Sequence, residues 1–184
     1  AALAVSGPSL LSLLQSCKNE TRINWQPIFL TMDEAAFISK IVDMILPRTK
    51  TPGALDVKTD IFIDKVYANL YDADAQEGVR KEIEKFNQDC IADFGDSFVN
   101  LSESDQIKVL QKAEENSGQF GSGVWGTTVG KPEPVGFYRS LKSTALWGYF
   151  TSQEIGENVL NYDPIPGGYN GCIPLSEVGN KWSL

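Results

Sequence analysis

Histidine is absent from all 184 residues. That excludes Ser-His-Asp and Cys-His nucleophile systems, histidine-ligated zinc and an imidazole general base, and it removes the commonest axial ligand of haem. Cysteine is scarce: Cys17, Cys90 and Cys172 lie far apart, with no CxxC or other metal-ligand spacing among them. Basic charge is also short. Sixteen Lys and Arg stand against twenty-four Asp and Glu, a formal charge of −8, and no basic stripe offers a nucleic-acid footprint. Strand alternation is nearly missing, with Gly123 to Val129 the one candidate.

What is present is enough to build a core. Hydrophobic residues make up 42% and charged residues 22%, close to a soluble globular average, and the length suits one domain. The apolar positions recur at helical spacing. Thr31 and Glu34 have the form of a capping box, followed by Phe37, Ile38, Ile41, Val42 and Ile45 on one face, and Pro47 stops the helix. A second helix is predicted from about Asp56 to Tyr71, with Val57, Ile61, Tyr67 and Leu70 inward. The third opens at Asp74 and Glu77, carries Val79, Ile83, Phe86, Cys90 and Phe94, and ends at Gly95. Ser102 and Asp105 open a fourth, with Ile107, Leu110 and Ala113 inward. A fifth near Pro134 to Tyr149 carries Phe137, Leu141, Ala145 and Leu146, and Thr151 with Glu154 suggests one more turn. The expected class is mainly α: one compact helical domain of about five to six helices, with long Gly/Pro-rich loops and an irregular C-terminal tail.

Three features invite a chemical reading, and each has a plainer one. Gly118 to Gly126, GQFGSGVWG, lacks GxxxxGK[ST] and a preceding strand, so an ordinary loop accounts for it. Asp72 with Asp74, or Asp89, Asp93 and Asp96, lack the order of a calcium loop and read as solvated helix ends. Trp125, Trp147, Tyr149, Tyr162, Tyr169 and Trp182 make the last third aromatic. They serve as core filler beneath loops, as a sugar-stacking platform, or as the anchors of a protein interface.

The two ends of the chain differ from the body. Residues 1–16, AALAVSGPSLLSLLQS, carry no charge and are too short and too broken by Gly7-Pro8 for a membrane span. They look like the apolar part of an export signal whose basic region lies upstream. Leu14-Gln15-Ser16-Cys17 resembles a bacterial lipobox, which makes Cys17 a candidate for acylation; the glutamine is atypical there. The expected organisation is a truncated signal over 1–17, a polar tether over 18–28 and the helical domain over 29–184. At the other end, YDPIPGGYNGC over residues 162–172 tolerates neither helix nor central strand.

Three blocks in this order carry a resemblance. They are FLTMDEAAFISKIVDMILPRTKTPGALDVKTDIFID over residues 29–64, then Gly148-Tyr149-Phe150-Thr151-Ser152 with Gly156, then the tail from Leu160 to Cys172. Together they resemble the gluconate 2-dehydrogenase subunit 3 family, the small accessory subunit of bacterial membrane-associated flavin dehydrogenases. The resemblance implies a non-catalytic subunit with no cofactor of its own. Its partner would be a large GMC-type FAD subunit that oxidises a sugar or sugar acid, and a cytochrome c subunit can join them. It further implies that this subunit supports maturation of the flavin subunit and supplies a twin-arginine export signal for both. The location implied is the periplasm or cell envelope, with membrane attachment through Cys17 or through the complex.

A flavoprotein folded around FAD in the cytoplasm must cross folded, so its escort needs an interface of roughly 1,200–2,000 Å² or more, rich in aromatic anchors. Pro47, Pro52 and Gly53 in the Leu46 to Ala54 loop, Tyr149, and Tyr162, Pro166, Gly167 and Tyr169 of the tail are the candidate interface residues; the plainer alternative is that loop and tail cap the helical domain and touch no partner. Proline prepays backbone order and glycine permits close approach. Cys90 and Cys172 either pair in an oxidising compartment or remain two thiols. The alternative reading is an exported carbohydrate-binding lipoprotein that uses its aromatic C-terminal third.

Overall fold

Helix starts and stops follow from local chemistry that the sequence displays openly. The computed structural model describes residues 24–120, 123–124, 127–128, 134–165, 167–168 and 171–183. Helix α1 spans Met32–Ile45, and at its start the Thr31 hydroxyl accepts from the Glu34 N–H while the Glu34 carboxylate accepts from the Thr31 N–H, a complete capping box. α2 spans Thr59–Leu70 and α3 Ala73–Phe94. The cap of α3 is Asp72, which accepts from the Ala75 N–H at 2.9 Å, two residues before the expected Asp74. Gly95 ends α3 at φ +87°, the left-handed conformation that favours glycine. A single 3₁₀ turn, Phe98–Asn100, leads to α4, Glu103–Glu115, capped by Ser102 as its sequence predicts.

Gly123–Val124 and Thr127–Thr128 form a two-residue antiparallel pair, the strand signal noted at Gly123 to Val129. α5 spans Phe137–Phe150 and α6 Gln153–Asn158, and a one-turn α7, Leu175–Val178, lies within the tail. The described residues thus hold seven α-helices, one turn more than expected, in a mainly helical single domain.

The core is built around α1. Phe37 is stacked on Phe137 and edge-on to Phe86 and Phe98, with ring centroids 5.4 to 6.3 Å apart. Ile38, Ile41, Val42, Ile63, Leu141 and Ala145 complete its fully buried centre. Gln106 is buried with them because its Nε2 donates to the Phe98 carbonyl at 2.9 Å, while the Asn87 Oδ1 accepts from the Phe98 N–H at 3.1 Å.

Two predicted faces are displaced. In α2 the buried residues are Thr59, Asp60, Ile63, Asp64, Val66 and Tyr67; Val57 and Ile61 are half-buried and Leu70 is exposed. The shift has a cause: Asp60 and Asp64 turn inward to backbone and side-chain donors, and the helix rotates with them. In α4, Val109 and Leu110 are buried beside Gln106, and Ile107 is exposed. Phe94 sits at the margin of the α3 stripe and is also exposed.

Candidate functional site

Among the described residues no group of three or more Cys, Asp or Glu side chains stands close enough to hold a metal ion. The acids read as solvated helix ends do local work: Asp72 caps α3, Asp89 pairs with Lys85, and Asp93 with Lys112. The features that stand out are instead one clamp, one braced loop and one exposed apolar surface.

The clamp holds the segment leading into the domain. The buried carboxylate of Asp64 accepts from three successive backbone N–H groups, those of Ile28 at 2.7 Å, Phe29 at 3.0 Å and Leu30 at 2.8 Å. Asp60, one helical turn earlier, accepts from the Trp25 indole N–H at 3.1 Å and the Ser39 hydroxyl at 2.8 Å. Arg80 closes the arrangement from α3. Its guanidinium donates to the Phe29 carbonyl and to Glu34, both at 2.6 Å, and lies 4.3 Å from the centre of the Phe29 ring. Trp25 to Ile28, placed by the sequence in a polar tether, are therefore part of the packed domain. The only sequence signal for the clamp was the pair Asp60 and Asp64, four residues apart inside an apolar run.

The Leu46 to Ala54 loop is braced from within. The Tyr149 hydroxyl donates to the Pro52 carbonyl at 2.7 Å, linking two of the predicted interface residues across 97 positions. Tyr149 is only 7% exposed and Gly53 is buried, so neither offers contact area to a partner. Gly53 is needed for a close approach: a Cβ there would stand 2.5 Å from the Arg48 nitrogen. Asp56 completes the turn by accepting from the Gly53 N–H at 2.7 Å and pairing with Arg48. Pro47 alone of this group is exposed, with Pro52 half-buried.

The C-terminal third carries the exposed apolar surface. On α5, Trp147 meets Phe62 edge-on at 4.9 Å, and Gly148 lies so close to that ring that a Cβ would stand 2.4 Å from it. Phe150 carries the Lys181 ammonium 4.9 Å above its ring. Beyond α6 the chain turns into a loop pinned at both ends. The Asn161 side-chain amide donates to the Val178 and Asn180 carbonyls, the latter at 2.7 Å, and its oxygen accepts from the Asn180 N–H. Asn180 in turn donates to the Val159 carbonyl at 2.7 Å, and the Ser183 hydroxyl to that of Gly156 at 2.9 Å. Asn161 and Trp182 form a parallel bridge beneath. Between these ends Tyr162, Ile165, Ile173 and Leu175 are exposed. Gly167 is exposed as well, while Pro166 and Tyr169 lie outside the described residues, as does Cys17. Neither the neck nor the two aliphatic tips was legible in the sequence, since asparagines in a loop carry no pairing code.

Cys90 is a free, buried thiol of the α3 stripe, whereas Cys172 is exposed on the tail, whose described bonds run to α6 and the residues after it rather than over α3. Burial, followed by the nearby charges of Asp89 and Asp93, pushes the Cys90 thiol up to about 11. It is protonated at neutral pH and suits neither nucleophilic nor metal chemistry. A cavity of about 450 Å³ lies beside it between α3, α4 and α5, lined by Phe86, Phe94, Val109, Ala113 and Phe137.

No helix among the described residues is long and apolar enough to cross a membrane. No curated protein and no solved structure matches the chain. The family model described as gluconate 2-dehydrogenase subunit 3 matches residues 32–167, from the first residue of α1 into the pinned loop. That span includes the capped first helix, the braced loop and Gly148-Tyr149, so the chain belongs to the gluconate 2-dehydrogenase subunit 3 family.

Proposed function

We propose that this chain is the non-catalytic small subunit that binds a GMC-type FAD-dependent sugar or sugar-acid dehydrogenase, supports its maturation and escorts it folded across the membrane. The family match over residues 32–167 carries the reading. The exposed, ordered apolar surface of the C-terminal third supports it, because such surface in a stable domain is usually covered by a partner. FAD belongs to the partner in this scheme, and any cytochrome c subunit would take electrons from the flavin rather than from this chain. Attachment at the envelope would run through acylated Cys17 or through the complex.

The test is affinity purification of the tagged full-length protein from its own host. A yellow eluate with flavin absorbance and a co-purifying chain of dehydrogenase size is the expected result. A colourless, solitary protein would sink the reading. The half-exposed Trp147, Tyr162 and Trp182 also favour a second reading, sugar binding at an exported lipoprotein, which predicts saturable tryptophan quenching by a sugar.

A further inference from the structure

The pinned loop presents a physical oddity. Ile165 is 85% exposed and Leu175 86%, with Tyr162 and Ile173 beside them in sequence, yet the loop's ends are held by a dense set of hydrogen bonds. A loop with no role beyond connection gains nothing from holding large aliphatic side chains in water. Here the neck prepays part of the ordering cost that binding would otherwise impose. The α5 strip differs, because Trp147 and Phe62 pack on each other and Lys181 lies over Phe150.

We infer that Tyr162, Ile165, Ile173 and Leu175 on this loop are the docking element of the chain, and that they enter an apolar groove with a basic rim on a partner protein. Resting on the function proposed above, that partner is the flavin dehydrogenase subunit. Charge selects the occupant. Residues 162–180 contain two charged side chains, Asp163 and Glu177, both acidic, and no lysine or arginine. A membrane-inserting loop needs cations to engage anionic headgroups, so this one is repelled where a basic-rimmed protein groove attracts it.

The experiment measures binding of the full-length chain to the flavin dehydrogenase that co-purifies with it. The double variant Ile165→Glu, Leu175→Glu is expected to weaken Kd at least ~30-fold, as loss of a central apolar anchor does. Ile107→Glu, a change at an exposed position on α4, is expected to alter it less than ~2-fold. Asp163→Lys with Glu177→Lys should slow association and flatten its dependence on salt. Unchanged helical circular dichroism and melting show that each variant is folded, as substitutions at exposed positions should be. An unaltered Kd for the Ile165 and Leu175 double variant overturns the docking loop while leaving the accessory role intact. Failure of the unmodified chain to bind any flavin dehydrogenase overturns that role, and this inference with it. Loop-dependent binding to phosphatidylglycerol vesicles would replace the protein partner with a membrane.

Discussion

At the residue scale, three peptide N–H groups from Ile28, Phe29 and Leu30 hold the Asp64 carboxylate in the core. Removing the acceptor leaves those donors unmet, that of Leu30 fully buried, so Asp64→Ala should cost about 3 kcal/mol, read as a lower urea midpoint at an unchanged slope. Asp64→Asn retains one acceptor oxygen and should cost less. Tyr149→Phe deletes one bond to the Pro52 carbonyl and should cost about 1 kcal/mol. Cys90 offers a kinetic check. Raising its pKa from 9.0 to about 11 lowers its thiolate fraction, so alkylation at Cys90, read by peptide mapping, should be at least ~10-fold slower in the folded protein than in urea. These residues were only partly readable beforehand. The stripe placed Cys90 correctly because helical spacing is local, but an aspartate read alone is assigned to solvent until its donors are known.

At the scale of elements, α4 and α5 are joined by Glu114, which accepts from Lys142 and Arg139, each at 2.9 Å. The hydrogen bond from Lys142, and then the charges of Lys142 and Arg139, hold the Glu114 carboxyl below its usual range. Its contribution is therefore fully present above the unfolded value near about 4.3, and is lost as pH falls through the lower folded value. The loss should be only ~0.5–1 kcal/mol, because the groups are partly exposed and solvent screens them. Melting of Glu114→Gln against the unmodified protein checks the sign: the difference should shrink on acidification below about pH 4. Helix ends at Thr31, Gly95 and Ser102 were legible because capping is decided within four residues. The α2 face was not, since its rotation answers to donors on Ser39, Trp25 and the backbone of Ile28 to Leu30, all distant in sequence.

For the whole molecule, the clamp and the pinned loop set where the chain can be pulled and where it can bind. In the escort reading, force from the export segment reaches the domain at Trp25 to Leu30, which α2 and Arg80 grip. Truncation through Leu30 removes the Trp25 indole and the three backbone donors to Asp64, and should lower the melting temperature by ~10 °C or more relative to truncation through Ile23. Scanning calorimetry of the two shortened proteins makes that comparison. Equal melting would mean that the clamp contributes little to the fold.

The sequence by itself determined the helical class, the capped helix ends, the family and the absence of histidine. All of these rest on local spacing, on composition or on motifs read along the chain. Only the tertiary structure decided that Gly53 and Tyr149 brace the domain from within, that Asp60 and Asp64 are buried acceptors, and that Asn161 and Asn180 close the tail into a loop on which Ile165 and Leu175 are exposed. Burial and hydrogen-bond pairing are properties of residues far apart in the chain. No local pattern encodes which donor meets which acceptor, so these assignments exist only once the helices have packed.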